Sequence, residues 1–185
     1  MSTFAIIALL LIVALIIGGV LIFNGLVQKR QMTENGWSDI EVQLKRRADL
    51  IPRLVETVKG YAAHERELFK SVIQARANAQ SAGANVKARG AAEGQLSAPT
   101  ARLIALKEDY PDLKTNENFL SLQEELSYTE DKIEMARRFY NGAVREYNIK
   151  VKSVPSNFVA GPFGFRELDF FEIDGRDRAV PDVTF

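Results

Sequence analysis

The hydrophobic and polar positions of this chain change rhythm three times. From Phe4 to Phe23, twenty consecutive residues carry no charge, and Ile, Leu, Val, Ala and Gly dominate. After Met1 the first ionisable side chain is Lys29. Twenty helical residues at about 1.5 Å rise cover roughly 30 Å, the hydrocarbon thickness of a bilayer. The run therefore predicts a membrane-spanning helix. A cleaved signal peptide is the poorer reading, because no Lys or Arg precedes the run and it exits through VLIFNGLVQ without a small-x-small cleavage site. The absence of cysteine excludes a lipoprotein anchor. Within the run, Ala14 and Gly18 form a small-x-x-x-small pair, a pattern that arises easily in so Ala- and Gly-rich a stretch.

Beyond the run the spacing becomes amphipathic. Trp37, Ile40, Leu44, Arg47 and Ile51 recur every three or four residues, on a helix that either continues the apolar run or restarts after Asn24-Gly25 or Asn35-Gly36. Pro52 predicts a kink or restart with Asp49 as a candidate cap, since proline lacks a backbone donor. Leu54, Val58, Tyr61, Leu68, Val72, Ala75 and Ala79 then form one stripe of a second helix. Residues 81–100, small, polar and Gly-containing, predict a loop or frayed helix, followed by a shorter helix from Leu103 to about Asp109. Tyr110 to Asn116 reads as a turn, with Pro111 ending one helix and Asn116 capping the next.

The last long helix has the clearest period. Phe119, Leu126, Ile133, Tyr140, Tyr147 and Val154 fall every seven residues, as do Leu122, Thr129, Ala136, Ala143 and Lys150. This is a heptad seam running to Pro155, whose partner is either within the chain or in another copy. The tail beyond it is Gly/Pro-punctuated, and Phe158, Phe163, Phe165, Phe170 and Phe171 make it too apolar to hang free; it folds back on the bundle or meets a partner or the bilayer. From Gly175 the composition predicts disorder. The expected fold is all-α: an N-terminal transmembrane helix followed by an antiparallel bundle of long helices, with an irregular Phe-rich C-terminal tail. The expected divisions are 1–3, a short N-terminal tail; 4–28, the transmembrane helix; 29–155, the helical bundle; and 156–185, the irregular segment.

Charge adds an orientation. Net charge is zero overall, which argues against a dedicated nucleic-acid binder. Residues 29–90 hold twelve Lys and Arg against seven acids, whereas residues 91–185 hold twelve against seventeen. Complementary packing of an early basic helix on a later acidic one explains this, and so does a basic juxtamembrane surface on anionic lipid. Lys29, Arg30 and the Lys45–Arg47 cluster follow the span, so the positive-inside rule places the N-terminus outside and the helical domain in the cytoplasm.

Candidate chemistry is sparse. A bundle di-iron site needs two Glu-x-x-His motifs, and this chain has one histidine, His64. Cys/His zinc sites are excluded by count. No nucleophile elbow or phosphate-binding Gly-rich loop accompanies His64, which reads as a helix-surface residue. Glu124, Glu125, Glu130, Asp131 and Glu134 are mixed with Lys132, Arg137 and Arg138 and read as an ion-paired face. No cofactor, metal or catalytic residue is expected.

Three stretches carry a resemblance: RRADLIPRLVETVKGYAAHE from Arg46, YPDLKTNENFLSLQEELSYTEDKIEMARRFYNGAVREYN from Tyr110, and FVAGPFGF from Phe158. In content and order they closely resemble the bacterial LemA family over nearly the whole chain. The resemblance implies a bacterial plasma-membrane protein with a short outside N-terminus and a helical cytoplasmic domain, and it implies no reaction. The repeated pairs Tyr140-Asn141 and Tyr147-Asn148 lie seven apart, and Arg46, Arg47 and Asp49 are placed to pair with the acidic helix. With Phe163 and Phe165 these are the candidate interaction residues, which either fix bundle register or build a partner-binding groove. The functional expectation is a non-enzymatic, self-associating membrane scaffold or adaptor, contacting the bilayer, further copies of itself and a membrane or cytoplasmic protein partner. The alternative is a lipid-interacting, membrane-remodelling protein, and the remaining class is a metal-dependent or hydrolytic enzyme.

Overall fold

The computed structural model describes residues 3–173; the stretch from Gly175, read above as disordered, lies outside them. Six α-helices and one 3-10 turn appear in the order α1 (Thr3–Lys59), α2 (Arg66–Ser81), α3 (Val86–Ala105), the 3-10 turn (Leu106–Glu108), α4 (Pro111–Lys114), α5 (Glu117–Lys152) and α6 (Asn157–Ala160), with no strand among the described residues. The all-α expectation holds: a long apolar helix comes first and other helices follow. Among the described residues only α1 is long and apolar enough to cross a membrane.

The described residues form two compact units, 3–37 with 138–169 and 38–137 with 170–173. In the second unit α1, α2, α3 and α5 supply one aliphatic core. Leu50, Leu54 and Val58 of α1 meet Phe69 and Val72 of α2, Leu96 and Leu103 of α3, and Phe119 and Leu126 of α5. Arg47 reaches Glu130 while Tyr61 reaches Asn116, so α1 and α5 run antiparallel. In the first unit α1 and α5 are again antiparallel. Lys29 pairs with Glu146, and Trp37 lies 5.7 Å from Tyr140 between ring centroids.

Three boundary expectations are corrected. First, α1 runs on through Asn24-Gly25 and Asn35-Gly36, the continuous alternative of the two read from the sequence, but the chain does not restart at Pro52, so Asp49 caps nothing. Gly36 is a close-approach site instead, where a Cβ would stand 3.2 Å from the Tyr140 Cα. Pro52 leaves the Ala48 carbonyl without its helical donor, and the Arg76 Nε of α2 donates to that oxygen at 2.5 Å. A side chain thus replaces the missing backbone bond. Second, the helix break falls at Gly60–Glu65, not at Pro52, and His64 sits in that connection rather than on a helix.

Third, the stretch 81–100, expected as a loop or frayed helix, is largely the regular helix α3. Gly83, in the left-handed region at φ 65°, turns the chain, and the Asn85 side chain caps α3 by accepting from the Ala88 N–H at 2.9 Å. The small residues that suggested a loop make a packing surface. Cβ atoms at Gly90 and Gly94 would collide with the backbone carbonyls of Glu172 and Ile173. The expectation at Asn116 holds, its side chain accepting from the Phe119 N–H at 2.9 Å, although the preceding turn contains the short α4. The heptad rows are buried at Phe119, Leu126, Thr129, Ile133, Tyr140, Ala143 and Tyr147, whereas Val154 is 72% exposed and lies past the end of α5.

Candidate interaction sites

In the second unit the most unusual group is a buried guanidinium. Arg47 projects from α1 into the helical interior and is 1% exposed. Its Nη1 donates to Glu130 of α5 at 2.8 Å, and its Nη2 donates to the Glu93 carboxylate of α3. Arg89, one turn before Glu93, adds a second cation at 2.9 Å. Burial opposes the charged guanidinium, but the fields and hydrogen bonds of Glu130 and Glu93 outweigh it and hold the Arg47 pKa above its ordinary value. Such a cluster locks three helices in one register, because losing any partner strands a charge in low dielectric.

The neighbouring residue behaves differently. Arg46 is half-exposed, 3.7 Å from Glu125 and stacked over the Tyr128 ring at 5.6 Å. Asp49 faces outward and, with Lys45, Arg46 and Arg53, lines a shallow groove. The expected pairing with the acidic helix is therefore made by Arg46 and Arg47, while Asp49 lies beside it.

In the first unit the Tyr-Asn pairs grip a piece of backbone. Asn148 donates to the Leu168 carbonyl and accepts from the Leu168 N–H, both at 2.9 Å. The Tyr140 hydroxyl donates to the Asp169 carbonyl at 2.9 Å. Burial, then the negative field of Asp169, pushes the Tyr140 pKa up to about 12. Tyr147 is buried with Leu26, Ala160 and Phe165, and its pKa is also raised, chiefly by burial. Asn141 is half-buried beside them. One member of each pair, Tyr140 and Asn148, thus latches the segment after α6 onto α5 through main-chain groups, whatever side chains that segment carries.

The aromatic tail splits. Phe165 and Phe171 are buried, Phe158 and Phe163 are 72% and 65% exposed, and Phe170 is intermediate between these extremes. The Phe23 ring packs edge-on to Phe163 at 5.1 Å and Phe165 at 5.5 Å. Glu93, Arg76 and Phe23 escaped sequence reasoning. Glu93 lay in the presumed loop, although the Arg89/Glu93 spacing is that of a helical ion pair. No group of three or more metal-binding side chains is present among the described residues.

A family model for the LemA family matches residues 36–185. The chain is 26% identical to magnetosome protein MamQ 2 of Paramagnetospirillum magneticum, with 90% of this chain and 71% of that protein covered. It is 24% identical to protein LemA of Metamycoplasma hominis, with 87% and 74% covered. The match spans most of the sequence, and this chain belongs to the LemA family.

Proposed function

We propose that this LemA-family chain is a membrane-anchored, non-enzymatic helical scaffold that self-associates on the cytoplasmic face of a bacterial plasma membrane. The observation that carries the reading is the state of α1. Its apolar run is exposed along its length, with Phe4 79%, Leu15 75% and Leu21 67% exposed, yet the same helix supplies Leu50, Leu54 and Val58 to a closed core. Large contiguous apolar surface of this kind needs a non-aqueous neighbour, and a bilayer matches its length. Lys29 and Arg30 follow the run and support the inside orientation. Self-association rests on α5 in the second unit. Tyr128 and Met135, seven residues apart, are 51% and 59% exposed although the core beneath them is complete.

The absence of native cysteine makes a direct test available. Met135→Cys in native membranes is expected to give an oxidative cross-linked dimer, and Lys70→Cys on α2 is expected to give none. No cross-link at Met135 or at Tyr128→Cys removes the self-associating face. Release of the full chain by alkaline carbonate removes the anchor.

A further inference from the structure

The first unit contains an apolar groove of about 360 Å³ lined by Ile16, Gly19, Val20 and Phe23 of α1 and by Val159 and Phe163 from the segment after α5. We propose that this segment, residues 153–165, is a second membrane element. It enters the interfacial layer of the leaflet beside the α1 span and closes the groove over a lipid acyl chain. The inference rests on the spanning reading of α1 given above.

Depth is the first argument. Ile16 to Phe23 are the last two turns of the continuous apolar stretch, about 10 Å of helix at about 1.5 Å per residue. A segment packed on those turns shares their depth. If they lie in hydrocarbon, Val159 and Phe163 do too, within the roughly 5–10 Å reached by interfacial elements.

Composition is the second. Ser153 to Phe165 is thirteen residues without a charge, bracketed by Lys152 and Arg166. Phe158 and Phe163 are among its most exposed residues, the reverse of a loop in water. Gly19 has no side chain and nothing stands within 4 Å of where its Cβ would be, so this groove wall is open.

Backbone satisfaction is the third, because an unpaired N–H at membrane depth costs several kcal/mol. The turn pairs most of its own amides. Asn157 donates to the Ser153 carbonyl at 2.8 Å, Ala160 to Ser156 at 2.9 Å, Gly164 to Gly161 at 3.1 Å and Phe165 to Ala160 at 3.0 Å. Phe158, Val159 and Gly161 also donate within the segment, and residue 162 is proline, with no amide hydrogen to satisfy. The Ser156 hydroxyl donates to the Lys150 carbonyl at 2.6 Å. The occupant is a lipid chain rather than a peptide because the lining is wholly aliphatic and aromatic and offers no polar group to a peptide backbone.

Spin labels on single cysteines in the full chain, reconstituted in phosphatidylcholine/phosphatidylglycerol vesicles, test this. Labels at Phe158→Cys and Phe163→Cys are expected to collide with oxygen several-fold more than with a water-soluble nickel chelate. A Val20→Cys label should do the same, and Lys70→Cys the opposite. If the Val20 label reads as lipid and the 158 and 163 labels read as water, the inference is overturned and the span stands. If the Val20 label also reads as water, the spanning reading fails with it. Dipolar broadening at 163 that vanishes on dilution with unlabelled protein would put a second copy in the groove and overturn the lipid assignment. Circular dichroism at wild-type helicity confirms that each variant is folded, and Phe158, being 72% exposed, provides a label site outside the packed core.

Discussion

The two units solve opposite problems with the same pair of helices. The second turns its aliphatic side chains inward and also buries charges, with Arg47, Glu93 and Arg89 closing a cluster between helices. The first buries Leu26, Tyr147, Ala160 and Phe165 in one cluster, and Tyr140 and Val144 as well, yet leaves a run of Ile, Leu, Val and Phe exposed. A buried ion cluster is tolerable only where every partner is held, and an exposed apolar run is tolerable only where water is absent. The second unit thus closes a core of its own, while the first leaves an apolar run that, on the proposed reading, a bilayer covers.

Breaking the charge cluster should have the largest effect. Arg47→Ala removes one of the two cations on buried Glu93, leaving Arg89 alone, and is expected to destabilise the second unit by about 3 kcal/mol in denaturant unfolding. Pairing Arg47→Met with Glu93→Leu should recover much of that loss, since it removes the buried carboxylate with the guanidinium and leaves only Glu130 and the partly exposed Arg89 charged. A double variant as unstable as Arg47→Ala alone would show that packing, not charge, governs the site.

Next comes the proline in α1. Arg76→Ala leaves the Ala48 carbonyl without a donor and is expected to cost about 1–3 kcal/mol. In a Pro52→Ala background the backbone donor returns, so the same substitution should cost clearly less. Equal costs in both backgrounds would mean that Arg76 acts through something other than this oxygen.

Asn148→Ala attacks the latch in the first unit. Losing both hydrogen bonds to Leu168 is expected to raise amide exchange at that N–H at least tenfold, with the global melting of the second unit unchanged. The smallest effect is the titration of Tyr140. Its folded pKa of about 12 stands above an ordinary value of 10, so the neutral hydroxyl contributes stability that is fully present below pH 10 and lost as pH rises toward 12. Tyrosinate absorbance should show late-titrating groups, and Tyr140→Phe should lower their amplitude by one tyrosine, leaving the also-raised Tyr147. An undiminished late amplitude in that variant would contradict the assignment.

Most of the helical content was legible because apolar residues at heptad spacing have one economical use. Phe119, Leu126, Ile133, Tyr140 and Tyr147 are buried as their spacing required. The misreadings occurred where a tertiary contact overrode a local rule. Pro52 breaks helices in general, and here Arg76 from a helix remote in sequence supplies the lost bond. Gly90 and Gly94 signal a loop when read locally, and here they make room for the Glu172 and Ile173 backbone. Arg47 fits an apolar stripe only once Glu93 is known to be helical. The Tyr-Asn repeat was visible as a pattern, but its target is a main-chain segment, which side-chain patterning cannot reveal.

The most direct test of the scaffold reading is the mass of the complex extracted from membranes in mild detergent, by size-exclusion with light scattering. The protein mass is expected to be an integer multiple, two or more, of the 20.7 kDa chain, reached through this chain alone. A single 20.7 kDa protomer across the concentration range would contradict self-association and leave an anchored monomer.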